Sequence, residues 1–535
     1  GANWQLQTNS NTPNIMHWYE GNGTGGQGSY DLAFVVDPLD ENLIYSGGVN
    51  MWGSDDGGST WDGMTYWVNY YGESIHADQH QFKFNPLNNR FYVVNDGGIY
   101  TSNELHIGSW EDVDQVPDYQ WPTTWTSLSN GMQITSFYRV GFSENNPEYL
   151  VAGTQDNGTF YFDGDNWKKI FGGDGMDCLI HPEDPGQIMA SSQYGSLGSS
   201  FDGGFSWNYG LSSAITSEEA GEWTTPFFYN GDQNRVFAGF GNLWVSSNFG
   251  QTWNKYSEFD PMPGVGYPAP ASAIAQCTSD PQAIYFAHRL WYSYGVNSDM
   301  WVTLDGGNSW ENVTAGLPEE LFFTDIVVDA ADPLRAWVTC SGFDDGIKVF
   351  ETVDGGQSWQ NISLDLPNIP ANCIAHNENS DDHTLYLGTD IGVFTTNDFS
   401  NTWEPFTANL PNVIVSDLDF NPSANILYAA TFGRGIWKTD ISTFVGIPDQ
   451  PLADSKISLF PNPNSGTFSL QVDIDFNGEL LVEVINVMGA TVDRRTVPIA
   501  DGNRTALIPS TLSAGIYYAK IQFGNHKEVI KFMVR

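Results

Sequence analysis

The chain has 535 residues, with 20 Lys+Arg against 64 Asp+Glu, and a formal charge of −44. That balance excludes a basic nucleic-acid binder, and 40% hydrophobic with 14% aromatic residues excludes the low-hydrophobicity route to disorder. No apolar run reaches the ~18 residues of a membrane-spanning helix.

The charge is unevenly spread. Residues 450–535 hold eight acids and eight bases, so the whole −44 belongs to the first 449 residues, which also hold all 20 Trp. Two differently composed domains follow, predicted as 1–446 and 457–535 with a Pro-bearing linker at 447–456. An acidic, aromatic chain poor in Lys suits an extracytoplasmic setting, and Gly1 reads as a processed or truncated start. Cys178, Cys277, Cys340 and Cys373 are too few for a disulfide framework. Three of them sit in apolar strand-like runs, which leaves buried thiols or one or two disulfides open.

In chain order, the first domain is a series of short strands with turns and no helical period. Nine units are predicted, over 31–64, 75–132, 134–175, 176–210, 222–258, 272–318, 322–367, 369–411 and 412–440. Each starts with a strand such as Leu32-Ala-Phe-Val-Val-Asp-Pro or Phe82-Lys-Phe-Asn-Pro, and continues with a second such as Phe91-Tyr-Val-Val-Asn and a third such as Gly98-Ile-Tyr. Four strands per unit make the blade of a β-propeller. The fold class is therefore all-β, a propeller of eight to ten blades followed by a small Ig-like β-sandwich. The ninth unit lacks an outer strand, which Asn3-Trp4-Gln5-Leu6-Gln7 is expected to supply.

A repeat punctuates these units. Ser/Thr-x-Asp-x-Gly-x-Ser/Thr-Trp occurs at Ser54–Trp61, Ser200–Trp207, Thr303–Trp310 and Thr352–Trp359, with relaxed copies at Ser246–Trp253 and Thr396–Trp403. The spacing fits a hairpin in which the acid side chain accepts backbone amides and Gly takes a positive φ. Asp56, Asp202, Asn248, Asp305, Asp354 and Asp398 are therefore expected to be structural. The motif resembles the Asp-box of sialidases, sortilin-type and other bacterial repeat propellers.

These hairpins join third to fourth strands, so function is sought on the opposite face, in the loops before first strands and between second and third strands. There lie His76-Ala-Asp78-Gln-His80, Asn95-Asp96-Gly-Gly, Gly153-Thr-Gln155-Asp156-Asn157-Gly, Gly172-Gly-Asp174-Gly-Met-Asp177, Gly388-Thr-Asp390 and Phe432-Gly-Arg434. Three readings compete for this rim: ordinary turn chemistry, a hard-cation (Ca²⁺) or sugar-binding rim, and a glycosidase with Asp78, Asp96, Asp156 or Asp174 as its carboxylates. His76 and His80 flanking Asp78 also allow a transition-metal reading.

The order of these clusters resembles the sortilin-like, sialidase-superfamily propellers of Bacteroidota surface proteins, which implies export and surface exposure. A sialidase itself is disfavoured. It needs three Arg to clamp the substrate carboxylate, and the first domain holds only Arg90, Arg139, Arg235, Arg289, Arg335 and Arg434. Tyr138-Arg139-Val140-Gly141 lacks the Pro of the sialidase Arg signature, and a field of −44 repels anionic glycans.

After the linker, about seven alternating strands form a small sandwich. Pro461-Asn462-Pro463, Gly489, Gly515 and Tyr517, with a basic-apolar last strand, resemble the type A sorting domain of the type IX secretion system. The resemblance implies the type IX machinery as a partner, passage across the outer membrane, and attachment at the cell surface rather than insertion. The function expected is a secreted or surface-displayed binding, adhesion or assembly module for glycans or proteins, with a glycoside hydrolase as the alternative.

Overall fold

The computed structural model describes residues 6–9, 13–67, 75–111, 119–231, 233–407, 409–441, 457–462, 464–472, 478–486, 491–499, 505–509, 512–513, 515–523 and 526–535. It is almost wholly β. Up to residue 441 the described strands form nine antiparallel sheets in chain order, seven of four strands and two of three, and this part is a multi-bladed β-propeller. The first sheet sets Ala33–Val36, Ile44–Gly47, Met51–Ser54 and Asp62–Gly63 side by side. The second sets out Gln79–Phe84, Phe91–Asn95, Gly98–Ser102 and Thr126–Ser127. The third comprises Phe137–Ser143, Asn146–Thr154, Gly158–Asp163 and Trp167–Phe171. First strands of the remaining six are Cys178–Ile180, Phe227–Asn230, Ala271–Gln276, Phe323–Val328, Ala371–His376 and Val415–Asn421.

Second strands such as Ile284–His288, Ala336–Cys340 and Leu385–Thr389 are buried along their full length. They are covered on both faces by neighbouring sheets, which is why they read as continuous apolar runs with small residues rather than as alternation. Two compact units partition the chain. One comprises Gly1–Ile274, Ser293–Val296 and Ala430–Ile436; the other comprises Ala275–Tyr292, Asn297–Ala429 and Trp437–Arg535. Within the first unit, Ala33, Tyr45, Met51, Phe82, Phe91 and Val93 form one apolar layer between the first and second sheets. Within the second, Trp337, Val349, Ile374, Leu387, Phe394 and Trp403 do the same for the seventh and eighth. Each such side chain contributes about 1.5–3 kcal/mol by leaving water.

The repeated hairpin has the expected geometry in five copies. In the first, Asp56 Oδ1 accepts from Thr60 N and Oδ2 from Thr60 Oγ1, both at 2.8 Å, while Gly58 N donates to Ser54 Oγ. Asp202, Asp305 and Asp354 repeat the pattern on Ser206, Ser309 and Ser358. In the fifth, Asn248 Oδ1 accepts from Thr252 N while its Nδ2 donates to Thr252 Oγ1. Hydrogen bonds from the residue four further on hold these four Asp carboxyls below their ordinary range.

The sixth copy departs from expectation. Asp398 turns away from its own hairpin, which Ser400 Oγ closes instead by accepting from Thr402 N. Asp398 takes Arg335 through both guanidinium nitrogens, at 2.5 and 3.2 Å, and lies 2.7 Å from His383 Nδ1. With Ser400 in the Gly place the two-glycine turn is lost, and the freed carboxylate pairs with the charge beside it.

The expected supply of an outer strand by Asn3–Gln7 is not seen: residues 3–5 lie outside the described residues, and Leu6 and Gln7 are in no strand. The loop after Ile426–Thr431 instead turns to the start of the third sheet. Phe432 bridges Ser136, and Gly433 N and Gly435 N donate to Thr135 O. No disulfide joins the four cysteines, all of which are buried. Among the described residues no helix is long and apolar enough to cross a membrane.

The C-terminal residues form two sheets. One orders Ile457–Phe460, Thr467–Val472 and Thr505–Pro509; the other orders Thr491–Ile499, Gly478–Asn486, Gly515–Phe523 and His526–Val534. These are the seven strands the sequence predicts. Phe468, Leu470, Leu480, Val482, Ile521 and Phe532 fill the space between the sheets. The boundary segment 442–456 lies outside the described residues.

Candidate functional site

Four of the sequence-selected acids meet in the first unit. Asp78 stands just before the first strand of the second sheet, and Asp96 sits in the turn between that sheet's second and third strands. Asp156 occupies the equivalent turn of the third sheet, and Asp174 follows that sheet's last strand. One oxygen each from Asp78, Asp96 and Asp156 lies within 4.8 Å of the others. Asp174 Oδ1 accepts from Asp156 N at 2.9 Å, so it holds the loop that presents Asp156.

Backbone conformation aims these groups. Asp78 and Asp156 both adopt left-handed backbone, with φ of 64° and 60°, a region that disfavours residues with a Cβ and concentrates at functional sites. The loops interlock closely: a Cβ on Gly97 would lie 2.3 Å from His76 Cβ, and one on Gly175 would lie 2.4 Å from Gly158 O. Gly97 and Gly175 are therefore required by close contact among the loops of their own sheets.

The sequence reading missed Gln27, Tyr30 and Asp31. Tyr30 Oη donates to Asp96 Oδ2 at 2.8 Å, and Gln27 Nε2 donates to Asp78 Oδ1 at 2.9 Å. Asp31 is fully buried, and its Oδ1 has no hydrogen-bond partner. Its position was legible in principle, because Asp31 shortly precedes the first strand of the first sheet as Asp78 precedes that of the second.

Electrostatics sets the chemistry. Burial first, then the charges of Asp31 and Asp96, push Asp78 up to about 7. Burial, then Asp174 and Asp96, push Asp156 up to about 7 as well, against a weaker lowering by the Gln155 side chain. Asp31 is also raised, mainly by burial. Burial and the bond to Asp96 raise the Tyr30 phenol, which stays protonated and donates. These carboxyls are held together at a cost in mutual repulsion that a proton or a cation relieves.

The other candidates fall elsewhere. His76 Nε2 lies 3.0 Å from Asp156 O and Nδ1 3.3 Å from Ala77 O, while His80 Nε2 lies 2.6 Å from Asp96 Oδ1. The two rings thus have separate partners, and the ladder between the first two strands of the sheet slips between Gln79 and Gln81. Asp177 joins backbones, accepting from Cys178 N and from Phe227 N at the start of the fifth sheet. Asp390 accepts from Asn372 Nδ2 in the second unit. Arg434 is exposed and donates to Gly433 O.

In the C-terminal domain, the motif residues grip the last strand. Asn462 Nδ2 donates to Lys531 O, and Asn462 Oδ1 accepts from Met533 N at 2.9 Å. Asn464 exchanges backbone bonds with Met533 and Arg535. Gly515 pairs with Val534, and Tyr517 stacks on Phe532 at 5.8 Å and donates to Ser513 O. Pro461 leads into this clamp; Pro463 and Gly489 lie outside the described residues. Residues 458–535 match the family described as the secretion system C-terminal sorting domain. This chain carries a type IX secretion sorting domain. With it, the protein is secreted or displayed at the cell surface of a Bacteroidota-type bacterium, and the sorting domain is the part that meets the secretion machinery.

No curated protein matches the chain. Among solved structures it is similar to PorZ, an essential bacterial surface component of the type IX secretion system of Porphyromonas gingivalis, at 13% identity over 95% of this chain and 81% of that one, with a TM-score of 0.47. It is also similar to the GH74 enzyme of Niastella koreensis, at 13% identity over 76% of this chain and 75% of that one, TM-score 0.31. A third is YCF48 from Cyanidioschyzon merolae, at 11% identity over 76% of this chain and 95% of that one, TM-score 0.33.

Proposed function

We infer that the protein is an exported binding module whose recognition centre is a hard-cation site built by Asp78, Asp96 and Asp156, with Asp31 behind them. The observation that supports it is the three carboxylate oxygens within 4.8 Å of one another. A Ca²⁺ ion with oxygen ligands at about 2.3–2.6 Å spans at most about 5 Å between opposed ligands, so these three fit one coordination sphere. The buried Asp31 Oδ1 without a partner is the kind of orphan that a bound ion explains. Bound there, the ion would supply positive charge at a rim otherwise rich in acid, while Tyr30 and His80 orient Asp96 and Gln27 orients Asp78.

Titration calorimetry with Ca²⁺ tests this reading. Binding is expected for the intact protein, and Asp78→Asn and Asp96→Asn should each weaken it by about tenfold or more, equivalent to ~1.4 kcal/mol. No heat of binding with the intact protein would refute it.

A second reading draws on the raised carboxyls. Asp78 and Asp156, held near 7, supply a protonated acid at neutral pH close to Asp96, as glycoside hydrolysis requires of its two carboxyls. Release of reducing ends from a polysaccharide panel, lost in both Asp96→Asn and Asp156→Asn, would establish hydrolysis; binding without turnover would dismiss it.

A further inference from the structure

Beside the acid cluster lies a group of exposed aromatic rings that the cation site does not use. Trp18, Tyr19 and Trp67 are 42%, 46% and 43% exposed, and Tyr19 and Trp67 lie 6.1 Å apart between ring centroids. They are held in place. Trp67 Nε1 donates to Trp18 O at 2.7 Å, Asn50 Nδ2 donates to Trp18 O and Tyr19 O, and Asn50 Oδ1 accepts from Trp67 N. The loop carrying Trp18 and Tyr19 is pinned by buried Asn14, whose Nδ2 donates to Gly23 O and Gly25 O.

This platform is joined to the acid cluster. Val49, next to Asn50, accepts from Asp78 N at 3.2 Å. The same N-terminal segment that carries the two rings goes on to supply Gln27 to Asp78 and Tyr30 to Asp96. The polar edge of Trp67 is engaged by backbone, and its ring stands tilted at 41° to that of Tyr19 with part of its surface exposed. Exposed aromatic area in a fixed arrangement is unfavourable in water until something apolar covers it.

We propose that Trp18, Tyr19 and Trp67 form a binding platform for a neutral polysaccharide, whose pyranose faces stack on the rings while hydroxyls of the same chain reach the acid cluster. Sugar rings present apolar C–H faces bounded by hydroxyl donors, which matches aromatic faces set beside carboxylate acceptors. The formal charge of −44, with the Glu20 carboxylate accepting from Tyr66 next to Trp67, selects against anionic polymers. The proposal rests on reading the rim as a recognition face, and the platform and the cation site are tested by separate readouts.

Affinity electrophoresis of the full chain in gels cast with hydroxyethylcellulose, galactomannan or glycogen, with alginate as the anionic comparison, decides it. At least one neutral polymer is expected to retard the protein and alginate is not. The double variant Trp18→Ala/Trp67→Ala should lose about tenfold or more in affinity, while its Ca²⁺ titration stays that of the parent. Tyr19→Ala, which keeps every backbone contact, should lose part of the retardation and guards against a folding defect in the double variant. Retardation by no neutral polymer, equal retardation by alginate, or retention unchanged in both variants would overturn the platform. Loss of Ca²⁺ binding in Asp78→Asn with retardation retained would leave it standing, and absence of Ca²⁺ binding in the parent would fall on the cation site alone.

Discussion

Asp78 and Asp156 carry a charge state that folding alters. Both have folded values near 7 against an ordinary 3.8, so between those values the native chain holds more protons than the unfolded one. Stability without a cation therefore falls as pH rises through that window, and levels off above it. Scanning calorimetry in a chelator should show a declining unfolding midpoint from about pH 4 to about pH 7, with a shallower decline in Asp78→Asn. A flat profile in the parent would contradict the clustering of these carboxyls. Ca²⁺ competes with the protons, so its affinity should rise over the same range. Asp96, Asp156 and Asp174 were legible in the sequence because each sits in an Asp/Gly-rich turn, and Asp78 because it stands between two His just before a first strand. Asp31, although it precedes its strand as Asp78 does, is masked together with Tyr30 because the residues just before Ala33 read as the start of a strand. Nor does sequence spacing assign His80 to Asp96, which depends on a local slip in strand register.

At the scale of the element, the repeated hairpin separates two jobs that one sequence pattern conflates. Asp354 closes its own turn on Ser358, whereas Asp398 leaves its turn to pair with Arg335. Hydrogen exchange should therefore accelerate at the Ser358 amide in Asp354→Ala and stay unchanged at the Thr402 amide in Asp398→Ala, because Ser400 Oγ holds the latter. Equal acceleration at both would mean that the sixth hairpin is built like the others. The nine predicted units coincide with the nine sheets because turn chemistry and strand period agree along the chain. Which acid stays in its turn was hidden, since it depends on Arg335, far from Asp398 in sequence. The glycines of the acid loops make a further case. Gly175→Ala puts a methyl group 2.4 Å from Gly158 O, and should cost about 1–3 kcal/mol and weaken Ca²⁺ binding together. Calorimetry and titration on the one variant check both effects.

For the molecule as a whole, composition already divides the chain: a neutral C-terminal domain follows an acidic one. The division matters for location. Removing residues 457–535 should retain the protein inside the cell envelope, read by fractionation against the intact chain; surface display of the shortened protein would mean that another segment directs export. Asn462→Ala, which releases Lys531 and Met533, should lower the thermal stability of the sorting domain with no effect on Ca²⁺ binding. The bridge between Ser136 and Phe432 bears on how the chain folds. Its two partners are separated by most of the propeller sequence, so the contact closes a very long loop and carries a large entropic cost before it stabilises anything. Ser136 O is held within the third sheet by Gln155 N, whereas Thr135 O has to await Gly433 N and Gly435 N from the ninth sheet's loop. A chain cut short before Ala430 would expose that edge to other chains.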